Sequence, residues 1–116
     1  MNASNSFKPS AEGSYANRRT VPRYPLIATV EVVESASELR LSGRISEISR
    51  KGCYVDVLNT LPVGTFVQLT ISRDSGTFTT TAKIIYVQEA MGMGVAFLDI
   101  AADQMATLDS WIAELV

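Results

Sequence analysis

The chain has 116 residues, with ten lysines and arginines against twelve aspartates and glutamates, no histidine and one cysteine. That length gives one domain with a real core. The missing histidines remove His-based acid–base catalysis, Ser-His and Cys-His nucleophile pairs and most zinc sites.

A lone Cys53 forms no intramolecular disulfide, and with no histidine it leaves no transition-metal constellation. There is no GxxxxGK loop and no GxGxxG between a strand and a helix, so no enzyme chemistry and no cofactor is indicated. No apolar run approaches the ~20 residues a membrane helix needs. The first ten residues lack the apolar block of a secretory signal, and a cytoplasmic protein is expected.

Residues 1–17 are rich in Ser, Asn, Ala and Gly and read as a flexible polar arm. The arm ends on a cationic cluster, Arg18-Arg19-Thr20-Val21-Pro22-Arg23. Pro22 and Pro25 hold themselves and the residues before them extended, which predicts a stiff linker carrying the arginines ahead of the first strand. The rest of the chain is acidic on balance, so the positive charge is local. Arginine's planar fork matches phosphates and guanine edges. The plain alternative for such a run is a solvated basic linker.

Leu26 to Glu34 alternates as a strand, with Leu26, Ala28, Val30 and Val32 on one face. After a short turn at Ser35-Ala36-Ser37, Leu39, Leu41, Gly43 and Ile45 continue the alternation, which predicts a hairpin. The pattern breaks at Glu47-Ile48 and resumes at Cys53, Val55 and Val57. Ser49 to Gly52 is thus a turn between strands, with Gly52 expected to be free for positive φ.

Leu58 to Gly64 reads as a loop, Phe66 to Arg73 as a strand, Asp74-Ser75-Gly76 as a hairpin turn and Thr77 to Gln88 as a strand. Glu89 to Gly92 turns the chain into a last strand, Met93 to Phe97. From Ala101 the period changes. Met105, Leu108, Ile112 and Leu115 fall at helical spacing, Trp111 widens the stripe, and a helix is predicted over 101–115. Asp99 is the expected N-cap and Asp103 falls in the first turn. The helix is expected across the barrel, with Trp111 covering core and a dimer contact as the lesser reading.

Two motifs stand together: Arg19-x-x-x-Arg23 and, some two dozen residues on, Glu47-x-Ser49-x-x-Gly52. In this order, with the second on a strand-to-strand turn, they resemble the PilZ domain, whose motifs are RxxxR and (D/N)xSxxG. The resemblance covers roughly residues 18–115. It implies an all-β fold, a six-stranded antiparallel barrel with a C-terminal helix, forming a single domain over 18–116. It also implies a receptor for cyclic di-GMP and no enzyme.

Carried over residue by residue, Arg19 and Arg23 grip guanine edges and phosphates, and Ser49 and Gly52 close on the ligand from the barrel. Arg18, just ahead of RxxxR, resembles domains that take a stacked pair of ligands. Arg50 and Lys51 are possible further contacts. Glu47 stands where the family has Asp or Asn. It keeps an acceptor for guanine N–H groups on a longer side chain.

On the resemblance, ligand binding reorders the N-terminal arm and signals by contact with another protein, from a monomer or homodimer. The alternative is an interaction module on the same scaffold that does not bind the nucleotide, with Glu47 as its mark. A barrel for single-stranded nucleic acid ranks below both. Such barrels need a basic groove with aromatic platforms, whereas this body is acidic and its aromatics are expected mostly in the core.

Overall fold

The computed structural model describes residues 21–116. The expected N-terminal arm, with Arg18 and Arg19, lies outside the described residues. The alternating runs become six strands: β1 (Arg23–Glu34), β2 (Arg40–Ser49), β3 (Gly52–Asp56), β4 (Phe66–Arg73), β5 (Gly76–Gln88) and β6 (Gly92–Leu98). One helix, α1 (Ala102–Leu115), follows. The strands pair antiparallel in the order β1-β2-β3-β6-β5-β4 and close into a barrel. This is the fold expected from the sequence. Closure leaves neither β1 nor β4 as a full-length free edge.

The apolar face of each strand points inward. Val30 and Val32 of β1, Val67, Leu69 and Ile71 of β4, and Phe78, Ala82 and Ile84 of β5 are all buried. Thr80 lies among them, and its hydroxyl donates to the Leu98 carbonyl at 3.0 Å, so the polar group is satisfied. The Asp74-Ser75 turn leads into Gly76 at φ 142°, a conformation that suits glycine.

Three register shifts interrupt the ladders: between Pro25 and Ala28, between Ile45 and Glu47, and between Ile84 and Tyr86. A bulge changes which side chains face outward. The break in alternation at Glu47-Ile48 is the second of these, and both Ile45 and Ile48 stay in the core because of it.

Two expectations change. The residues read as a linker before Leu26 belong in part to β1, since Arg23, Tyr24 and Pro25 pair with Ser49, Ile48 and Glu47. Pro25 is tolerated because β4 does not pair with β1 until Thr29, so its missing N–H costs no ladder bond on that side. Asp99 does not cap the helix. The N-cap position is Ala101, without a side-chain cap, and Asp99 instead takes φ 47° in the link from β6. Its short polar side chain makes that left-handed turn cheaper than most residues would. Asp103 does lie in the first turn, where its charge suits the helix dipole.

A helix of 14 residues is marginal alone, so packing must hold it. Leu108, Trp111 and Ile112 are buried against the barrel. The Trp111 ring sits 6.3 Å from Phe78, which meets Phe97 edge-on at 5.1 Å. The Arg73 guanidinium lies 5.4 Å from the indole and 3.3 Å from Glu114, and Gln104 accepts the Thr79 backbone N–H at 2.7 Å. With 2 % of its surface exposed, Trp111 is core, and the dimer reading for it falls. Trp111→Ala is expected to destabilise the domain by about 3–5 kcal/mol, the range for truncating a buried aromatic, measured by urea unfolding.

Candidate functional site

The end of β2 and the start of β1 lie side by side, and this brings the two motifs together. Arg23 is opposite Ser49, and Glu47 is opposite Pro25. Glu47 is therefore a diagonal cross-strand neighbour of Arg23, and its carboxylate comes within 3.7 Å of the guanidinium. Both side chains are about half exposed, so the pair contributes at most about 1 kcal/mol.

Between β2 and β3 the chain turns through Arg50 and Lys51 alone. Ser49 holds this turn shut. Its buried oxygen accepts the N–H groups of Lys51 at 3.1 Å and Gly52 at 3.2 Å, and its hydroxyl donates to the Gly52 carbonyl at 3.3 Å. The motif serine thus spends its hydrogen-bonding capacity inside the turn. Gly52 serves differently from the expectation. Among the described residues the glycines with positive φ are Gly64 and Gly76, and Gly52 is not one of them. It pairs with Ala96 of β6, and a Cβ there would run into the Val95 carbonyl oxygen. The glycine is needed so that β3 can close on β6.

Outside the barrel, beside this turn, lies a pocket of about 260 Å³. Arg23, Glu47, Ser49, Lys51 and Gly52 line one side, with Val21 at the entry to β1. The other side is Tyr54, Ile85, Tyr86, Gly94 and Ala96. Ile85 and Tyr86 both face it, which regular alternation would not allow and the bulge at Ile84–Tyr86 does. Of the two further cations, Lys51 lines the pocket. Arg50 does not, because its guanidinium turns to Asp109 of α1 at 2.8 Å.

A larger cleft, about 460 Å³, opens where β1 and β4 part near Thr29 and Ser72. It gathers none of the motif residues, so size does not select the site.

The tyrosines were missed by sequence reasoning, which expected the aromatics mostly in the core. Phe78, Phe97 and Trp111 are there, but Tyr54 and Tyr86 stand outside. Tyr86 lies over Gly94 and Tyr54 over Gly92, each where a Cβ would collide with the ring. The two rings are 6.1 Å apart at 33°. Tyr54 donates its hydroxyl to Gln88. Burial, with Tyr86 and Asp56 nearby, holds that hydroxyl protonated above the ordinary phenol range. The two glycines in a short strand were the available signal, since such glycines mark close approach. Which aromatics they receive depends on the β3–β6–β5 register.

Other chemistry is sparse. Cys53 is buried, and desolvation pushes its thiol far up, away from the thiolate form a nucleophile needs. Among the described residues no cluster of three acidic or cysteine side chains is placed to hold a metal, and no helix is long and apolar enough to cross a membrane. What the pocket offers is cations, a carboxylate acceptor and a flat aromatic wall.

The family model for the PilZ domain matches residues 17–114. The chain belongs to the PilZ domain family. Solved PilZ structures share its fold. The PilZ domain with c-di-GMP of YcgR from Escherichia coli superposes with a TM-score of 0.71 at 18% identity, covering 84% of this chain and 91% of that one. The PilZ domain of CeSA from a cellulose-synthesizing bacterium gives 0.64 at 21%, covering 81% and 97%. The Bacillus subtilis inhibitor of motility MotI/DgrA gives 0.66 at 20%, covering 81% of this chain and 48% of that one. Sequence comparison with curated proteins finds no match.

In this PilZ domain the turn and the β3–β6 contact are separable by mutation. Ser49→Ala leaves two turn N–H groups without their acceptor and is expected to cost about 1–3 kcal/mol. Gly52→Ala forces β3 off β6 and is expected to cost at least as much, with loss of protection at the Phe97 amide, which donates to the Lys51 carbonyl at 2.8 Å. Denaturant unfolding and amide exchange measure the two effects.

Proposed function

We propose that this PilZ domain is a non-enzymatic receptor for cyclic di-GMP that uses the pocket beside the β2–β3 turn. The observation that supports it best is the convergence of Arg23, Glu47 and Lys51 on one side of that pocket with Tyr86 on the other. The E. coli YcgR domain of the same fold holds c-di-GMP. A cyclic dinucleotide presents two anionic phosphates and two flat purines, and the pocket offers a partner for each kind of group.

Arg23 donates as a fork to guanine O6 and N7, the commonest specific guanine contact, worth about 1–3 kcal/mol. Glu47 accepts guanine N–H groups and gives up its half-exposed contact with Arg23 as it does so. Lys51 faces phosphate as a point charge. Tyr86, held flat over Gly94, gives a base a stacking surface, with about 1–3 kcal/mol per base typical of such contacts. Ser49 and Gly52 act through the shape of the turn. Arg18 and Arg19, which lead into β1, close over the ligand and supply further cationic contacts, with room for a second nucleotide set by Arg18.

Closure of that segment changes the surface beside the pocket, and a downstream protein reads the change. Nucleic acid is not the expected partner. Proteins of similar fold are named for unlike settings, an inhibitor of motility and a c-di-GMP-dependent transcription regulatory factor, so the fold does not choose the partner.

Calorimetric titration of the full chain is expected to show saturable binding of cyclic di-GMP and none of GTP or GMP at the same concentration. Arg23→Ala and Tyr86→Ala should each weaken binding by about 5- to 150-fold, the equivalent of one bidentate or stacking contact. No heat with the native chain, together with an unchanged melting temperature, would replace this reading with the interaction module that does not bind the nucleotide.

A further inference from the structure

The β2–β3 turn has two cations that face different ways. Lys51 lines the pocket, while Arg50 reaches back to the helix, with Nη2 2.8 Å from Asp109 Oδ1. That oxygen is shielded from solvent, and the contact is an ion pair at close range without hydrogen-bond alignment. Asp109 follows Leu108 and precedes Trp111 by two residues, so it belongs to the most firmly seated part of α1. Arg50 stands between Ser49, which braces the turn, and Lys51. The pair therefore joins the packed segment of the helix to the turn that shapes the pocket.

We propose that Asp109 is a positioning residue for the ligand site: through Arg50 it holds the motif turn from behind, so that seating of the helix and affinity for ligand are coupled. The identity of the ligand rests on the receptor reading above; the brace itself does not. By reciprocity, bound ligand tightens the helix by the same factor that the seated helix tightens the ligand. The C-terminal helix then becomes a second surface, besides the segment before β1, on which occupancy is felt.

The sign of the effect separates this from simple charge. Removing a negative charge near an anionic ligand should tighten binding by electrostatics alone. Removing a brace should weaken it. A partly exposed ion pair supplies about two- to five-fold.

The test has two arms on the full chain. In the free protein, Asp109→Asn is expected to speed amide exchange at Lys51 and Gly52, the two donors to Ser49 Oγ, and Asp109→Glu to restore it in part. Glu114→Gln breaks a different ion pair of the same helix, to Arg73, and is expected to leave those amides unchanged. In titrations with cyclic di-GMP, Asp109→Asn and Arg50→Gln should each weaken binding about two- to five-fold, and the double variant no more than either alone.

Unchanged exchange at both amides in Asp109→Asn overturns the brace, as does tighter binding by that variant. An equal effect from Glu114→Gln also overturns it, because any loosening of the helix would then suffice. If the native chain does not bind cyclic di-GMP, the receptor reading falls, and the exchange arm alone decides whether the brace exists.

Discussion

The site depends on how closely β3 can approach β6. Gly52 has no side chain, and that absence lets the two strands meet where any Cβ would strike the Val95 carbonyl. Once the strands meet, the link from β2 is only Arg50 and Lys51, and a turn so short needs its N–H groups satisfied from within. Ser49 does this with one buried oxygen. The serine and glycine of the motif are therefore first a folding device, and the pocket beside them is its consequence. This explains what residues that make no obvious charged or aromatic contact of their own do in the motif.

The opposite wall follows the same logic with the roles reversed. Gly92 and Gly94 leave β6 bare, and Tyr54 and Tyr86 from the neighbouring strands lie flat in the space. Register shifts on three ladders fall around the pocket, near Pro25, Glu47 and Tyr86. Each changes the parity of a strand locally and turns outward a side chain that regular alternation would have aimed elsewhere. A barrel whose inside is filled by Val, Ile, Leu and Phe thus builds its chemistry on its outer face. Positive charge enters there through Arg23 and Lys51, while Arg50 is committed to the helix.

Most of the fold was legible because period-two and period-3.6 patterns report burial directly, and apart from the start of β1 at Arg23 the strands and the helix fall close to where those patterns place them. The bulge at Glu47 was visible as a break in alternation. What was hidden depends on register or backbone conformation. Asp99 has the composition of a helix cap, but the backbone spends it on a left-handed turn. Gly52 reads as a flexible turn residue, whereas its value is close approach across a ladder that the sequence does not display. Arg50 and Lys51 are adjacent and alike in charge, and only the position of the helix shows that they part. Tyr54 and Tyr86 are over thirty residues apart and meet through β6. Of the predicted ligand residues, Arg23, Glu47, Ser49, Lys51 and Gly52 converge on one pocket. Arg18 and Arg19 precede the described residues.

The central claim is that cyclic di-GMP binds between the motif turn and the tyrosine wall. The most direct measurement is a series of ¹H–¹⁵N correlation spectra of the full chain during titration with cyclic di-GMP. The account predicts that the large, saturable shifts fall at Arg23, at Glu47 through Gly52, and at Tyr86 and Gly94. Shifts centred instead on the larger cleft near Thr29 and Ser72, or an unchanged spectrum at saturating nucleotide, would contradict it.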